Sequence, residues 1–410
     1  MYQEIKSRRL ALLVAIALTG GSLAGATNAY AAGVTGQNVT INASNPPSNN
    51  VTDPYNDPGS AAGAINDPAN GDDVSGNTLT LENYNYSGKN IFGGFTRGTG
   101  CAKNNTVHIR ENGKVATAYG GITYGDGDAV GNRVYLHAGG LAESGLIGGV
   151  VYRGSGSAED NHVVVESGRV NDVIFGGDIV STSTGHVKGN TVEIAGGVIN
   201  TSVYGGYNNG SGDVTGNAVT ITGGEIRDDV YGGFGNGDVT GNIVNIGDGA
   251  HDLAAGTRIQ KSIYGGSNGG GSGTISGNIL NVKASASAQN IHNFDKINFH
   301  FTNTLSPKLT LSDTAGTIIK SLRGITVNGF ATIGTSTLIE NANGITVSEG
   351  SSSVSTTDDT AETILSTDTA RKKIDYTRYI FKGARTAESS IYETWGGRSV
   401  IGNTTTGNEI

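Results

Sequence analysis

The sequence predicts an all-β protein, a parallel β-helix (β-solenoid) built from stacked repeats with capping segments. Three observations carry this prediction: 67 glycines among 410 residues, a repeat of about 27 residues, and alternating β-branched and polar residues within each repeat. Charged residues make up 15% of the chain and hydrophobic residues 36%, both below the shares of an ordinary globular protein. We therefore expect a core made from small, regularly placed side chains.

The chain opens with a segment, residues 1–31, that is typical of a secretory signal peptide. Basic residues precede an uninterrupted apolar run at 10–18. Ala29 and Ala31 then form the small-x-small pattern of a cleavage site, which predicts cutting after Ala31. The apolar run is shorter than the roughly 20 residues that a membrane-spanning helix needs. The sequence therefore predicts export and no transmembrane helix.

Residues 32–72 are predicted to form an N-terminal cap and a loop. Residues 34–42 resemble half a repeat and are expected to cover the first coil, because the open end of a solenoid needs protection. Residues 43–72 contain five of the six prolines, together with Asn, Asp and Ser, and are predicted to be a long surface loop or linker.

Residues 73–303 contain eight repeat units, the last one degenerate. The similarity is clearest between 187–197 and 214–224, and each unit begins with a period-two run such as 218–221. That alternation predicts a strand with one buried face. The same asparagine position recurs in every unit, at Asn77, Asn105, Asn132, Asn161, Asn190, Asn217, Asn242 and Asn278.

Stacking the units would place equivalent residues above one another. The asparagines are then expected to form a hydrogen-bonded amide ladder at a tight corner, where Asn tolerates left-handed backbone. The Gly-Gly pair of each unit is expected to turn a corner with positive φ. A short strand is expected to end at the aromatic residue before most of these pairs. The aromatic residues are expected to stack and stiffen the solenoid, with an exposed platform for sugars as the alternative.

Residues 304–410 are predicted to be a β-rich C-terminal segment in which the repeat is lost. Residues 349–369 are rich in Ser, Thr and Asp and are expected to be flexible. Residues 370–399 combine charges and aromatic rings and are expected to close the end of the solenoid. Strand-like runs precede them at 309–311, 325–327 and 345–347.

Charge and cysteine content exclude several classes of function. The formal net charge is -9 and no basic stripe is present, which argues against nucleic-acid binding. The chain has one cysteine, Cys101, so no intramolecular disulfide can form. We expect Cys101 to be a small side chain in a turn, because no neighbouring base would activate it.

No catalytic, cofactor-binding or metal-binding residue is predicted. Residues 232–238 approach a calcium-binding nonapeptide but contain one residue too many. The glutamates occupy different unit positions, so no carboxylate pair for glycoside chemistry is expected. The seven histidines also fall in different columns, without metal-ligand spacing: His108, His137, His162, His186, His251, His292 and His300.

The Gly-Asn-x-Val-x-Ile-x-Gly-Gly and Val-Tyr-Gly-Gly motifs behind a signal peptide resemble the passenger regions of bacterial autotransporters, the type V secretion proteins. The resemblance covers 73–303 well and 304–348 loosely. It implies a right-handed parallel β-helix at the cell surface or outer membrane, an adhesin that contacts a ligand on host or neighbouring cells. The family also has a C-terminal translocator barrel, and the residues after 303 are too few to encode one. We therefore expect a passenger without its barrel.

The preferred interpretation is a non-enzymatic, cell-surface or secreted passenger that serves adhesion or surface display. Two alternatives stay open: a β-helix enzyme that acts on polysaccharides, and a nonfunctional truncated remnant. An enzyme would release reducing ends from its substrate, whereas a passenger that binds through many weak loop contacts would not.

Overall fold

The computed structural model describes residues 35–44, 61–65, 71–96, 98–180, 183–329, 333–357, 361–381 and 392–393. The regular secondary structure of these residues consists of β-strands and one 3-10 helix at Leu322–Gly324, and most strands are parallel and stacked along one axis. The predicted fold class, a parallel β-solenoid, is confirmed. The stack has about ten turns rather than eight. The predicted leader, with Ala29 and Ala31, lies outside the described residues.

Each regular coil contributes to three sheets and therefore has three faces. Sheet 1 consists of eight strands of two residues each, all parallel. They are Val74–Ser75, Ala102–Lys103, Ala129–Val130, Ala158–Glu159, Val187–Lys188, Val214–Thr215, Val239–Thr240 and Ile275–Ser276.

Sheet 2 carries the alternating segment that follows each repeat asparagine, and its 11 strands pair without a register break between neighbouring coils. Its strands are Asn38–Ile41, Thr78–Glu82, Thr106–Arg110, Arg133–Leu136, His162–Val165, Thr191–Ile194, Ala218–Ile221, Ile243–Ile246, Ile279–Val282, Lys296–Phe301 and Ile325–Gly329. The first strand lies beyond the predicted repeat region on one side, and the last lies beyond it on the other. The additional turns come from these flanks.

Sheet 3 contains the segments around the Gly-Gly pairs, and its 14 strands form the broadest face. The strands are Ala61–Ile65, Asn85–Tyr86, Ile91–Thr96, Lys114–Thr123, Leu141–Val151, Arg169–Val170, Val173–Ile179, Val198–Ile199, Val203–Asn208, Glu225–Ile226, Val230–Gly235, Arg258–Ile259, Ile263–Ser267 and Ile291–His292. The first of these strands corrects the prediction of an uninterrupted loop at 43–72. Its pairing with Ile91–Thr96 adds it to the stack.

The interior of the solenoid is a set of apolar columns. In sheet 2, Val192 and Ile194 are buried, and their equivalents in the next coil, Val219 and Ile221, lie directly beside them in register. The polar residues between them face outward, because successive side chains of a strand point to opposite sides. The period-two pattern of the sequence therefore places one continuous hydrophobic core along the whole axis.

The C-terminal end changes from parallel stacking to antiparallel pairing. Ser353–Thr357 and Ala361–Thr367 are strands, so the prediction of a flexible segment at 349–369 is wrong for these residues. Lys373–Phe381 pairs antiparallel with Ala361–Thr367 and with Gly334–Asn341. The other strands of this end are Ala286–Ala288, Leu309–Leu311, Thr317–Ile319, Ile345–Val347 and Tyr392–Glu393.

The Gly-Gly pairs do not turn corners as predicted. Gly205 and Gly206 lie inside the strand Val203–Asn208, and neither has a positive φ. A Cβ on Gly206 would stand 2.7 Å from Cγ of the buried Asn217. Glycine is therefore required because the strand backbone passes directly over an asparagine side chain, and the strand continues through the pair instead of ending before it.

No helix among the described residues has the length and hydropathy to cross a membrane.

Candidate functional site

The eight repeat asparagines lie in one column at the corner between sheets 1 and 2, and all are fully buried. Asn161 Nδ2 donates to Asn190 Oδ1 at 2.8 Å, and the Asn161 backbone N–H donates to the same oxygen at 2.9 Å. The second Nδ2 proton reaches a carbonyl of the preceding coil, as between Asn190 and Ala158 at 2.9 Å. The oxygen and the nitrogen of these side-chain amides thus find their partners within the stack, and the column is an internal ladder.

The left-handed corner lies one residue before each asparagine. Gly216 has φ of 63°, and the equivalent residues Asn104 and Asp160 have φ of 52° and 51°. The corner therefore has left-handed backbone, as expected. The left-handed residue is the one before the column asparagine, and not the asparagine itself. Gly, Asn and Asp share this position because these types tolerate positive φ best.

A second ladder runs along the outside of sheet 1, where side chains accept hydrogen bonds from backbone N–H groups of the following coil. The Cys101 N–H donates to Asp73 Oδ1 at 2.8 Å, and the Asp238 N–H donates to Asp213 Oδ1 at 3.1 Å. The column comprises Asp73, Cys101, Asp128, Ser157, His186, Asp213, Asp238 and Thr274. Asp238, the carboxylate of the segment that approaches a calcium-binding nonapeptide, accepts from the Thr274 N–H at 2.7 Å and is thus engaged as a backbone acceptor.

Cys101 has the same role in this ladder. The Asp128 N–H lies 3.3 Å from Cys101 Sγ, and the thiol is partly buried. Burial is the main cause that raises the pKa of this thiol above its ordinary value. A raised pKa leaves less thiolate at neutral pH, so Cys101 lacks the feature of a reactive cysteine.

The aromatic residues before the Gly-Gly pairs form two stacks on the outer side of sheet 3, one on either side of Ile147. Tyr204 and Tyr231 are 4.7 Å apart between ring centroids with an interplanar angle of 4°, and Tyr231 and Tyr264 are 4.6 Å apart at 10°. His292 continues the stack 4.7 Å beyond Tyr264. The rings within each stack cover one another face to face, so no ring face is left open for a sugar to stack on. This geometry favours the stiffening role over the sugar platform.

The outer face of sheet 2 carries a cluster that the sequence analysis missed. His108 Nδ1 lies 3.1 Å from His137 Nε2, and His137 Nδ1 lies 2.8 Å from Glu166 Oε2. The His108 ring stacks on Tyr135 at 4.8 Å and 16°. His162 lies 6.4 Å from Tyr135 between ring centroids. Three consecutive strands of sheet 2 and the residues that follow them thus place these rings and the carboxylate on one surface, which we call the imidazole face: His108, Tyr135, His137, His162 and Glu166.

The imidazole face holds His108 and His162 in the neutral form. Burial, followed by the nearby charges of Arg110 and His137, lowers the pKa of His108 to about 4. Burial also lowers the pKa of His162, and Glu193, 3.8 Å from its Nε2, opposes that shift. A low pKa at a half-buried ring leaves its lone pair available at neutral pH.

A simple tabulation would have revealed this cluster. Counted from the asparagine of its own unit, His108 is the third residue after Asn105, and His137 is the fifth after Asn132. Positions of equal parity share one face of a strand. Histidines in different columns can therefore be diagonal neighbours, which the search for a single column overlooked.

Among the described residues, no three His, Cys, Asp or Glu side chains converge as metal ligands. Comparison of the chain with protein-family models, with curated proteins and with solved structures gives no match.

Proposed function

We propose that the protein is a non-enzymatic passenger of the autotransporter type, exported and displayed at the cell surface or released, which serves adhesion. The observation that carries this proposal is the completion of each coil by its neighbour. The buried Asn190 amide takes its partners from coils on both sides, and sheet 2 continues without a break. A chain that emerges through a pore can fold coil by coil in this way, since a solenoid nucleates locally and propagates.

The carboxylates support a passenger over a hydrolase. Asp228 and Asp229 are adjacent in sequence, but Asp228 pairs with Lys261 at 3.1 Å and Asp229 accepts from the Ser262 N–H at 2.9 Å. Glu225 is held between Arg227 and Arg258. These acidic groups serve ion pairs and backbone contacts instead of facing one open substrate position, as glycoside hydrolysis requires.

The test is display of the exported chain on bacteria that lack adhesins of their own. The chain is joined to a laboratory translocator barrel, and bacteria retained on epithelial monolayers or on one another are counted. Bacteria that carry the barrel alone are the control, with surface levels matched by antibody labelling. We expect several-fold greater retention with the chain. Equal retention at matched display would contradict adhesion.

One observation favours the enzyme alternative: the contacts from Glu166 through His137 to His108 form a potential proton relay on the imidazole face. A polysaccharide-acting enzyme built on this relay would release reducing ends from pectin- or glycan-type substrates. Incubation of the purified chain with such polymers measures this directly. The proposal of a passenger expects no release above that of the His137→Gln variant.

A further inference from the structure

Two imidazole nitrogens on the imidazole face point at each other across neighbouring coils. His108 lies in the middle of the strand Thr106–Arg110, and His137 follows the strand Arg133–Leu136 directly. The distance between His108 Nδ1 and His137 Nε2 is 3.1 Å. Two nitrogens that share a metal ion, each at about 2.0–2.1 Å from it, stand about 3 Å apart. The pair therefore has the spacing of two ligands to one cation.

Glu166 decides which nitrogen of His137 carries the proton. Its Oε2 lies 2.8 Å from His137 Nδ1 and is an acceptor, so the proton is assigned to Nδ1. The lone pair of His137 Nε2 then faces His108. Without a metal, His108 Nδ1 donates its proton to that lone pair. When the proton of His108 moves to Nε2, the lone pair of its Nδ1 faces the same point, and a cation can take the place of the proton. A carboxylate behind a ligating histidine is the common arrangement around protein-bound metals, because it orients the ring and increases its basicity.

The surroundings leave one side of the pair open. The side chains of His137 and Glu166 are 21% and 53% exposed. Water can therefore reach the outer side of the pair and fill the remaining coordination positions.

We propose that His108 and His137 bind a divalent transition-metal cation, Zn²⁺ or Cu²⁺, with Glu166 as a positioning residue and water as the other ligands. Imidazole nitrogens favour this class of cation, whereas Ca²⁺ and Mg²⁺ prefer oxygen ligands. The site goes beyond adhesion, since it gives the imidazole face an affinity for a metal ion. With two protein ligands, it is weaker than a closed four-ligand zinc site.

Calorimetric titration of the untagged full chain with zinc chloride tests the proposal. We expect one equivalent of Zn²⁺ to bind, and either His108→Gln or His137→Gln to weaken binding at least tenfold. His186→Gln and His251→Gln are matched controls outside the pair, and they should leave binding unchanged. Circular dichroism melting establishes that each variant is folded. Absence of zinc binding, or binding equal to wild type in both pair variants, would overturn the proposal.

Two further measurements separate a metal site from a purely structural pair. Glu166→Gln should weaken Zn²⁺ binding by about 10- to 100-fold, the usual effect of removing such a carboxylate. Arg110→Gln should strengthen it, because the positive charge of Arg110 acts on His108 and repels a second cation there. With Cu²⁺, the electron paramagnetic resonance spectrum of the wild-type chain should show coupling to two nitrogens. A spectrum with oxygen ligands alone would contradict the assignment.

Discussion

At the scale of single residues, the solenoid depends on side chains that hydrogen-bond from one coil to the next, as the backbone does within the sheets. The Asn190 carboxamide accepts two hydrogen bonds from Asn161, one from the backbone N–H and one from Nδ2. It also donates to Asn217 Oδ1 at 2.9 Å and to the Ala158 carbonyl. A buried group with this many partners is costly to remove, since each partner left unpaired costs about 1–3 kcal/mol.

We expect Asn190→Ala to lower the free energy of unfolding by at least about 3 kcal/mol, because buried partners on both sides lose their bonds. Urea unfolding followed by circular dichroism measures the change. Asn245→Ala is the matched control. Asn245 belongs to an amide ladder on the outer face of sheet 2, with Nδ2 3.1 Å from Thr220 Oγ1 and Oδ1 2.8 Å from Asn281 Nδ2.

Water can replace the partners of Asn245, so its removal should cost less than about 1 kcal/mol. Equal effects of the two substitutions would show that burial of the inner ladder is not what makes it stabilising.

Glycines inside strands and glycines at corners are required for different reasons, and this difference gives a second prediction at this scale. Gly206→Ala should destabilise the protein by about 3 kcal/mol, because the added Cβ would stand 2.7 Å from Asn217 Cγ and from Val187 Cγ1. Gly216→Asn should be close to neutral. Its φ is 63°, nothing lies within 4 Å of a Cβ there, and Asn104 occupies the equivalent position four coils earlier in the same corner column. Thermal melting of both variants makes the comparison.

A neutral Gly206→Ala variant would mean that the strand can move away from the ladder. A strongly destabilising Gly216→Asn variant would mean that backbone freedom, and not close approach, governs both positions.

At the scale of elements, sheet 2 combines one uniform face with one variable face. Its inner columns are aliphatic through the regular coils, as at Leu136, Val165 and Ile194. Its outer columns change from the imidazole face near one end to stacked amides near the other, where Asn298 Nδ2 lies 2.8 Å from Asn281 Oδ1. Packing constrains the inner face, so the outer face is where one coil can differ from the next.

The neutral histidines of this element predict sensitivity to acid. The folded-state pKa of His108 is about 4, below the 6.5 of an ordinary histidine, so the unfolded chain binds more protons between these values. The stability that this creates is present above pH 6.5 and is lost as the pH falls toward 4. We expect the unfolding midpoint to decrease on acidification from pH 7 to pH 5, and His108→Gln to reduce that decrease.

His251→Gln, at an exposed position outside sheet 2, serves as the control and should retain the wild-type pH dependence. An unchanged dependence in His108→Gln would assign the acid sensitivity to other groups. Protonation of carboxylates with lowered pKa, such as Asp73 and Glu340, belongs to a pH range below that in which an ordinary histidine titrates.

The elements also show where sequence reasoning succeeds. The alternation at 218–221 predicts the strand Ala218–Ile221 correctly, because burial of every second residue can be read from neighbouring positions in the sequence. The Gly-Gly pairs were misassigned because glycine is required there by a close contact with Asn217, or with its equivalents, in another part of the coil. The imidazole face was missed for a similar reason, since its contacts join different positions of different coils.

At the scale of the whole molecule, the coils are interchangeable. Asn190 and Asn217 are 27 residues apart and occupy the same position in neighbouring coils. The spacing from Asn242 to Asn278 is 36, yet Asn242 Nδ2 still donates to Asn278 Oδ1 at 3.2 Å. Extra residues therefore leave the stack as loops while the ladder continues. Because equivalent residues recur in each coil, the periodic part could be predicted from the sequence. The antiparallel end was predicted poorly, because without a repeat the sequence does not indicate which strands pair.

Deletion of one complete unit tests this interchangeability. Removal of 190–216 brings Asn217 directly after Gly189 and keeps every column in phase. We expect a folded protein with a strand-type circular dichroism spectrum and a midpoint a few degrees lower, since stability in a solenoid is close to a sum over neighbouring units. Removal of 190–203, about half a unit, should abolish cooperative unfolding. Equal behaviour of the two deletions would contradict stacking in phase.

The direction of the ladders determines how the molecule responds to force. The inner asparagine bonds and the strand pairing join one coil to the next, so they run along the axis. Tension between the two ends would load them one coil at a time, as in the opening of a zipper. Each opened coil releases 27 residues, which extend to roughly 90 Å. A cell held by such a rod in flowing liquid would be tethered by a fibre that lengthens in steps under load and shortens again as the coils reform.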